Sequence, residues 1–182
     1  NEQHKQWREL SSRFSLIRLK GKDPSKAEGK GWQKYCREKR EFEKIRFKPG
    51  ENAGIATGPA SGLIVVDVDD LDRFQDFLAF NQYEVPETMM VDTGRDLPHL
   101  YFQYPKNGRE YGNRSCKQQG FDVRGLGGQV VAPGSIHPET GKPYRLAIGL
   151  DPAPAPEWLL GLYEDDPQPG EPEADTKQDI VD

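Results

Sequence analysis

The sequence predicts an α+β domain with a mostly antiparallel or mixed central sheet and flanking helices. Short segments rich in β-branched and aromatic residues recur between turn residues from "LIVVDVDD" at 63–70 to "YRLAI" at 144–148. Helical patterns are few and do not alternate regularly with these segments, so a doubly wound parallel sheet is not indicated. No internal repeat is visible, and 182 residues suffice for one domain with a sizeable core and one appendage.

Residues 2–19 have Trp7, Leu10, Phe14 and Ile17 near helical spacing, although the end, "FSLIRL", also suits a short strand. "KGKDPSKAEGKGW" (20–32) reads as an exposed loop, rich in Lys, Gly and Pro. "WQKYCREKREFEKIRF" (32–47) has helical composition. "KPGENAGIATGPASG" (48–62) punctuates the chain again, with a short apolar piece at Ile55. "LIVVDV" then reads as a strand, with Asp70 placed to cap a helix in which Leu71, Phe74 and Leu78 share a face. Further strands are expected at "MMVDTG", "HLYFQY", "GFDVRG", "GQVVAPG" and "YRLAI", and a short helix at "APAPEWLLGLY" (153–163). Residues 164–182, acidic and Pro-rich, read as a disordered tail or linker.

The net charge of −5 is unevenly spread. Residues 1–50 carry 15 Lys and Arg against 7 Asp and Glu, a net of +8, whereas residues 151–182 carry 1 against 10, a net of −9. A basic end suits an anionic polymer, or simply solvated helices. The mean hydropathy of −0.86 and the lack of any run of about 18 apolar residues leave no transmembrane helix, and no signal peptide opens the chain. Cys36 and Cys116 stand alone, without metal-ligand spacing, which argues against a structural zinc and for a reducing, cytoplasmic setting. The chain opens on Asn1 rather than Met, which reads as processing or excision from a longer protein.

Side chains alternate along a strand, so Asp67 and Asp69 share one side while Val66 and Val68 face the other. Two adjacent carboxylates disfavour each other's ionised form, a cost that a divalent cation removes. Taken alone, D-x-D also fits one acid capping a helix and one facing solvent. The later strands add to it: His99 in "HLYFQY", and Asp122 with Arg124 in "GFDVRG", offer polar groups from one side of a sheet. Acids for metals and cations for phosphates are what a nucleoside triphosphate requires. "RGLGGQ" (124–129) is Gly-rich but lacks the Lys-Ser/Thr of a Walker loop, so it serves most simply as a tight turn.

"NAGIATGPASGLIVVDVDD", "TGRDLPHLYF" and "GFDVRGLGGQVVAPGSIHPETGKPYRL", together with "LIRLKGKDPSKAEGKGWQKYC" upstream, resemble the bifunctional primase–polymerase (Prim-Pol) domain of the archaeo-eukaryotic primase superfamily, over roughly residues 14–160. The resemblance implies an RRM-like catalytic core, a catalytic domain over 1–163 (basic subregion 1–50, core 51–163) and a tail at 164–182. By position it assigns Asp67, Asp69 and Asp122 to two metals, Mg²⁺ or Mn²⁺, and His99 to the incoming triphosphate. The family usually has Ser two residues before that His; here Leu97 and Pro98 precede it, leaving Thr93 or the backbone near Gly94 as substitutes. Arg124, Arg95, Ser135 and His137 are candidate nucleotide contacts, the last two equally explained by a Pro-Gly turn.

The expected activity is template-dependent nucleotidyl transfer, with single-stranded DNA template or primer and dNTPs or NTPs as partners, and a helicase domain in the full-length protein. Trp32, Tyr35 and Phe47 are candidates for base stacking or for the core. Two rivals remain: a nucleic-acid-binding module without turnover, and an Asp-dependent phosphatase of the haloacid dehalogenase type. The second wants Thr or Val where Leu71 stands, within a doubly wound fold.

Overall fold

The computed structural model describes residues 1–169. The last thirteen residues of the acidic tail, 170–182, lie outside the described residues.

Two sheets form, not one. The smaller has three antiparallel strands in the order β1 (Leu16–Leu19), β2 (Asn52–Ala56) and β8 (Gln129–Val131). The larger runs β6 (Arg114–Cys116), β7 (Phe121–Arg124), β3 (Leu63–Val68), β5 (Pro98–Gln103), β4 (Met89–Asp92), β9 (Arg145–Ile148). All its pairs are antiparallel except β10 (Ala153–Pro154), which joins β5 in parallel where β4 ends.

Period-2 alternation makes the large sheet apolar on both faces. Ile64, Val66, Leu100, Phe102, Phe121 and Val123 face helices α4 (Leu71–Asn81) and α5 (Glu157–Gly161), with Phe74, Trp158 and Leu159 in the same core. Leu63, Val65, Met89, Val91 and Tyr101 face the small sheet and helix α1 (Glu2–Ser11), whose Trp7 is fully buried. Asp67, His99, Asp122 and Arg124 continue this second face beyond its apolar part.

Several local expectations change. "KGKDPSKAEGKGW" is not simply a loop: Pro24–Glu28 forms helix α2. Asp23 caps it by accepting from the amides of Ser25 (2.9 Å) and Lys26 (3.3 Å), and Pro24 sits in the first turn, where its missing N–H costs nothing. The helical composition at 32–47 is broken into a 3-10 turn at Trp32–Cys36 and a single turn, α3 (Phe42–Ile45). "NAGIA" is a fully buried strand rather than punctuation. Gly54 is small there because a Cβ would lie 2.7 Å from the Gln129 side chain and 3.0–3.1 Å from Leu19 and Ile17. In α4 the buried side is Phe74 with Phe77 and Leu78; Leu71, at the exposed first turn, is left outside. At the start of the tail, Asp166 pairs with Arg114.

The basic N-terminal third spends much of its charge internally. Glu28, its side chain 3% exposed, accepts from Arg18 Nε (2.8 Å) and from Arg40; Arg18 also reaches Glu51 (3.2 Å) and the Ala27 carbonyl (2.7 Å). This network ties α2 to β1. Glu28→Ala leaves two clustered guanidinium groups short of a partner and is expected to cost about 3 kcal/mol. A thermal melt reads this as a fall in Tm of roughly 6–12 °C for a chain of this length.

Candidate active site

The central strand β3 lies between β5 and β7, and its last strand pairs place Asp67 directly opposite both His99 and Asp122. Asp69 follows the strand end, where its amide and that of Asp70 donate to the Gly120 carbonyl (2.8 and 3.0 Å). Gly120 has φ +84°, and a Cβ there would lie 2.4 Å from the Asp70 carbonyl oxygen, so only glycine allows this approach. Asp70 itself caps α4 by accepting from the Arg73 amide. The third acid of "DVDD" is therefore a helix cap, and the first two turn toward Asp122.

Carboxylate oxygens of Asp67, Asp69 and Asp122 lie within 4.8 Å of one another. Basic side chains of the chain surround them. Arg124 Nη2 stands 3.5 Å from Asp67 and 3.4 Å from Asp122; Lys117 Nζ is 3.4 Å from Asp122 and 3.7 Å from Asp69; His99 Nε2 is 3.2 Å from Asp67. Burial pushes the Asp67 carboxyl up, but the hydrogen bond and charge of His99 and the Arg124 guanidinium outweigh it and hold the group below the usual carboxylate range. Asp69 moves the other way, raised first by burial and then by the charges of Asp67 and Asp122. Asp122 Oδ1 is buried without a partner among the described residues. Three hard oxygen donors, an orphaned buried oxygen and a carboxyl raised by its neighbours fit a divalent cation.

The acids line a cleft of about 600 Å³ between the two sheets, the size of a small-ligand site. Arg95 lines it too, paired with Glu139 at 3.0 Å. His137 is buried on the cleft wall, stacked on Tyr144 with ring centres 5.7 Å apart. Its Nδ1 accepts from the amides of Glu139 (3.1 Å) and Thr140 (3.3 Å), so the neutral ring carries its proton on Nε2, which has no partner among the described residues. Burial, then Lys22 and Arg95, push the His137 pKa down and keep it neutral.

Ser135 does not line the cleft. It is fully buried, and its hydroxyl accepts from the Ala53 amide (3.0 Å) and donates to the Ala53 carbonyl (3.1 Å), fastening the Pro-Gly turn to β2. Leu97, at the position where the resemblance implies a hydroxyl, lines the cleft. Thr93 does not replace that hydroxyl freely, because it donates to the Leu97 carbonyl (2.9 Å), and the Gly94 amide donates to Asp92. Of the three aromatics, Trp32 lines the cleft, whereas Tyr35 stacks under Arg40 and Phe47 packs on Trp7. Lys117, Lys22, Gln129 and Tyr144 also line it and escaped the sequence reading, because each arrives from a separate turn or strand. Lys117 alone left a trace, a cation five positions before Asp122.

A model of the bifunctional DNA primase/polymerase N-terminal domain (Prim-Pol) matches residues 9–158, which contain every cleft residue named above. The chain belongs to the Prim-Pol family. A comparison with curated proteins finds no match. The antiparallel pairing of β3 on both sides excludes the doubly wound sheet that a haloacid-dehalogenase-type phosphatase requires. Among the described residues no helix is long and apolar enough to cross a membrane.

Mn²⁺ or Mg²⁺ should raise the Tm of this Prim-Pol domain, by about 2.7 kcal/mol equivalent at a hundredfold excess over Kd, and Asp122→Asn should remove the shift. Without metal, the raised Asp69 carboxyl means that the folded state holds the proton more tightly than the unfolded chain. That penalty is full at pH 7 and is relieved as pH falls through the folded value. Metal-free Asp69→Asn should therefore melt above wild type at pH 7, and the gap should close on acidification toward the ordinary carboxylate range. Ser135→Ala should lose about 1–3 kcal/mol of stability and leave the nucleotide KM unchanged, measured below its lowered Tm.

Proposed function

We propose that this Prim-Pol domain catalyses template-directed nucleotidyl transfer, adding nucleotides to a primer or to an initiating nucleotide. The convergence of Asp67, Asp69 and Asp122 within 4.8 Å is the observation that carries the reading. The three carboxylates would hold Mg²⁺ or Mn²⁺, which, when bound, supplies charge to a triphosphate and acidity to an attacking hydroxyl. The chain's own groups orient the substrate. His99 and Arg124, already beside Asp67, are placed to meet the phosphate chain. Arg95 has only an exposed Glu139 to leave before it can pair with a phosphate. His137 presents a neutral Nε2–H donor to a phosphate or sugar oxygen.

For the nucleic-acid strand, the division of labour between arginine and lysine matters. Arg18 and Arg40 are held by the buried Glu28 side chain, and Arg8, Arg13 and Arg37 pair with carboxylates at the surface, which leaves Arg46 without an ion pair among the described residues. None of the nine lysines in residues 1–50 forms an ion pair among the described residues, and these suit a sequence-independent, salt-sensitive grip on backbone phosphates.

Primer extension tests the proposal, using a primer–template with dNTPs or NTPs and Mg²⁺ or Mn²⁺. Asp67→Ala should reduce extension by roughly a thousandfold or more, since it removes several kcal/mol of charge stabilisation, while the strand still binds. Strand binding by wild type with no extension under any nucleotide and metal would instead indicate a binding module.

A further inference from the structure

Trp32 is set apart from the other two tryptophans. The indole N–H of Trp7 donates to the Pro133 carbonyl (3.1 Å) and that of Trp158 to the Glu84 carbonyl (2.9 Å). That of Trp32 has no partner among the described residues, and the ring lines the same cleft as the acids while its other side packs on the core. Gly127 and Gly128 line the same cleft; a Cβ on Gly127 would meet nothing within 4 Å, whereas one on Gly128 would run into Asn113 and Thr57. The cleft that holds the acids thus carries one half-buried indole and, at Gly127, backbone with open space where a side chain would stand.

The chain reaches Trp32 through two glycines with positive φ. Gly29 and Gly31, with φ +79° and +86°, hook the chain out of α2 and into the 3-10 turn that Trp32 opens. The Arg18–Glu28–Arg40 network anchors α2 just before that hook.

We propose that Trp32 is a stacking platform for an unpaired nucleobase in the cleft. This rests on the reading of the cleft as a nucleotidyl-transfer site. The base belongs either to the incoming nucleotide or to the template strand; the ring chemistry is the same, and stacking on an indole is indifferent to sequence.

Tryptophan emission in the full chain tests this, with Trp7 and Trp158 buried (0% and 8% exposed) as a steady background. Thymidine triphosphate with Mg²⁺ is titrated in one arm and a single-stranded oligothymidylate in the other, with Kd read independently by calorimetry. One arm should quench the wild-type emission, and that arm names the source of the base. Trp32→Leu should lose the quench and bind that ligand roughly 5- to 100-fold more weakly, whereas Trp32→Phe, which keeps a π-face, should restore most of the affinity. Wild-type affinity of Trp32→Leu for both ligands overturns the proposal. So does unchanged wild-type emission at calorimetric saturation with both, a result that needs no variant to fold. Normal extension with either result removes only the stacking role. A wild type that binds neither ligand removes the functional reading and this proposal together.

Discussion

The register of three antiparallel strands governs everything at this site. β3 is paired on both sides, so Asp67 has no freedom to choose its neighbours: His99 stands across from it on β5 and Asp122 on β7. A slip of one residue in either pairing would turn an acid into the core and a valine into the cleft. The apolar residues earlier on the same strands prevent that slip, because Leu63, Val65 and Tyr101 are buried on the face that ends in the acids. The core thus holds the site in register.

Bringing three carboxylates together is unfavourable, and the structure shows how that cost is distributed. Asp67, partly enclosed, is compensated by His99 and Arg124 and is held below the usual carboxylate range. Asp69, closer to solvent, takes the repulsion as a raised carboxyl. Asp122 has one oxygen balanced by Lys117 and Arg124 and the other buried without a partner. A local excess of negative potential remains, of the kind that a multivalent cation relieves.

The opposite wall of the cleft is built by different means. Arginines, whose planar guanidinium groups suit bidentate pairing, are used inside the N-terminal third to lock α2 against β1. Lysines remain outside these pairs, and the Gly-hooked turn carries Trp32 to the cleft. The net basic charge of residues 1–50 thus covers two separate roles, scaffold and surface.

Wherever local chemistry dominates, the sequence was sufficient. Alternation in "LIVVDV", "HLYFQY" and "GFDVRG" assigned strands and faces correctly, and with them the side on which Asp67, His99, Asp122 and Arg124 stand, because a strand's period depends only on its own backbone. Asp70 as a helix cap was legible for the same reason. The strand order, the division into two sheets and the buried status of "NAGIA" were not, since each depends on partners distant in the chain; Gly54 reads as a turn residue until Ile17, Leu19 and Gln129 are seen packed on it. The fates of the two turn residues diverged likewise: Ser135 spends its hydroxyl on Ala53, while His137 keeps one nitrogen unpaired on the cleft wall. Local pattern singled out the acids, the histidine and the cations that line the site. Only the tertiary structure decided which groups meet, because contacts between residues far apart in sequence are set by packing and not by any local pattern.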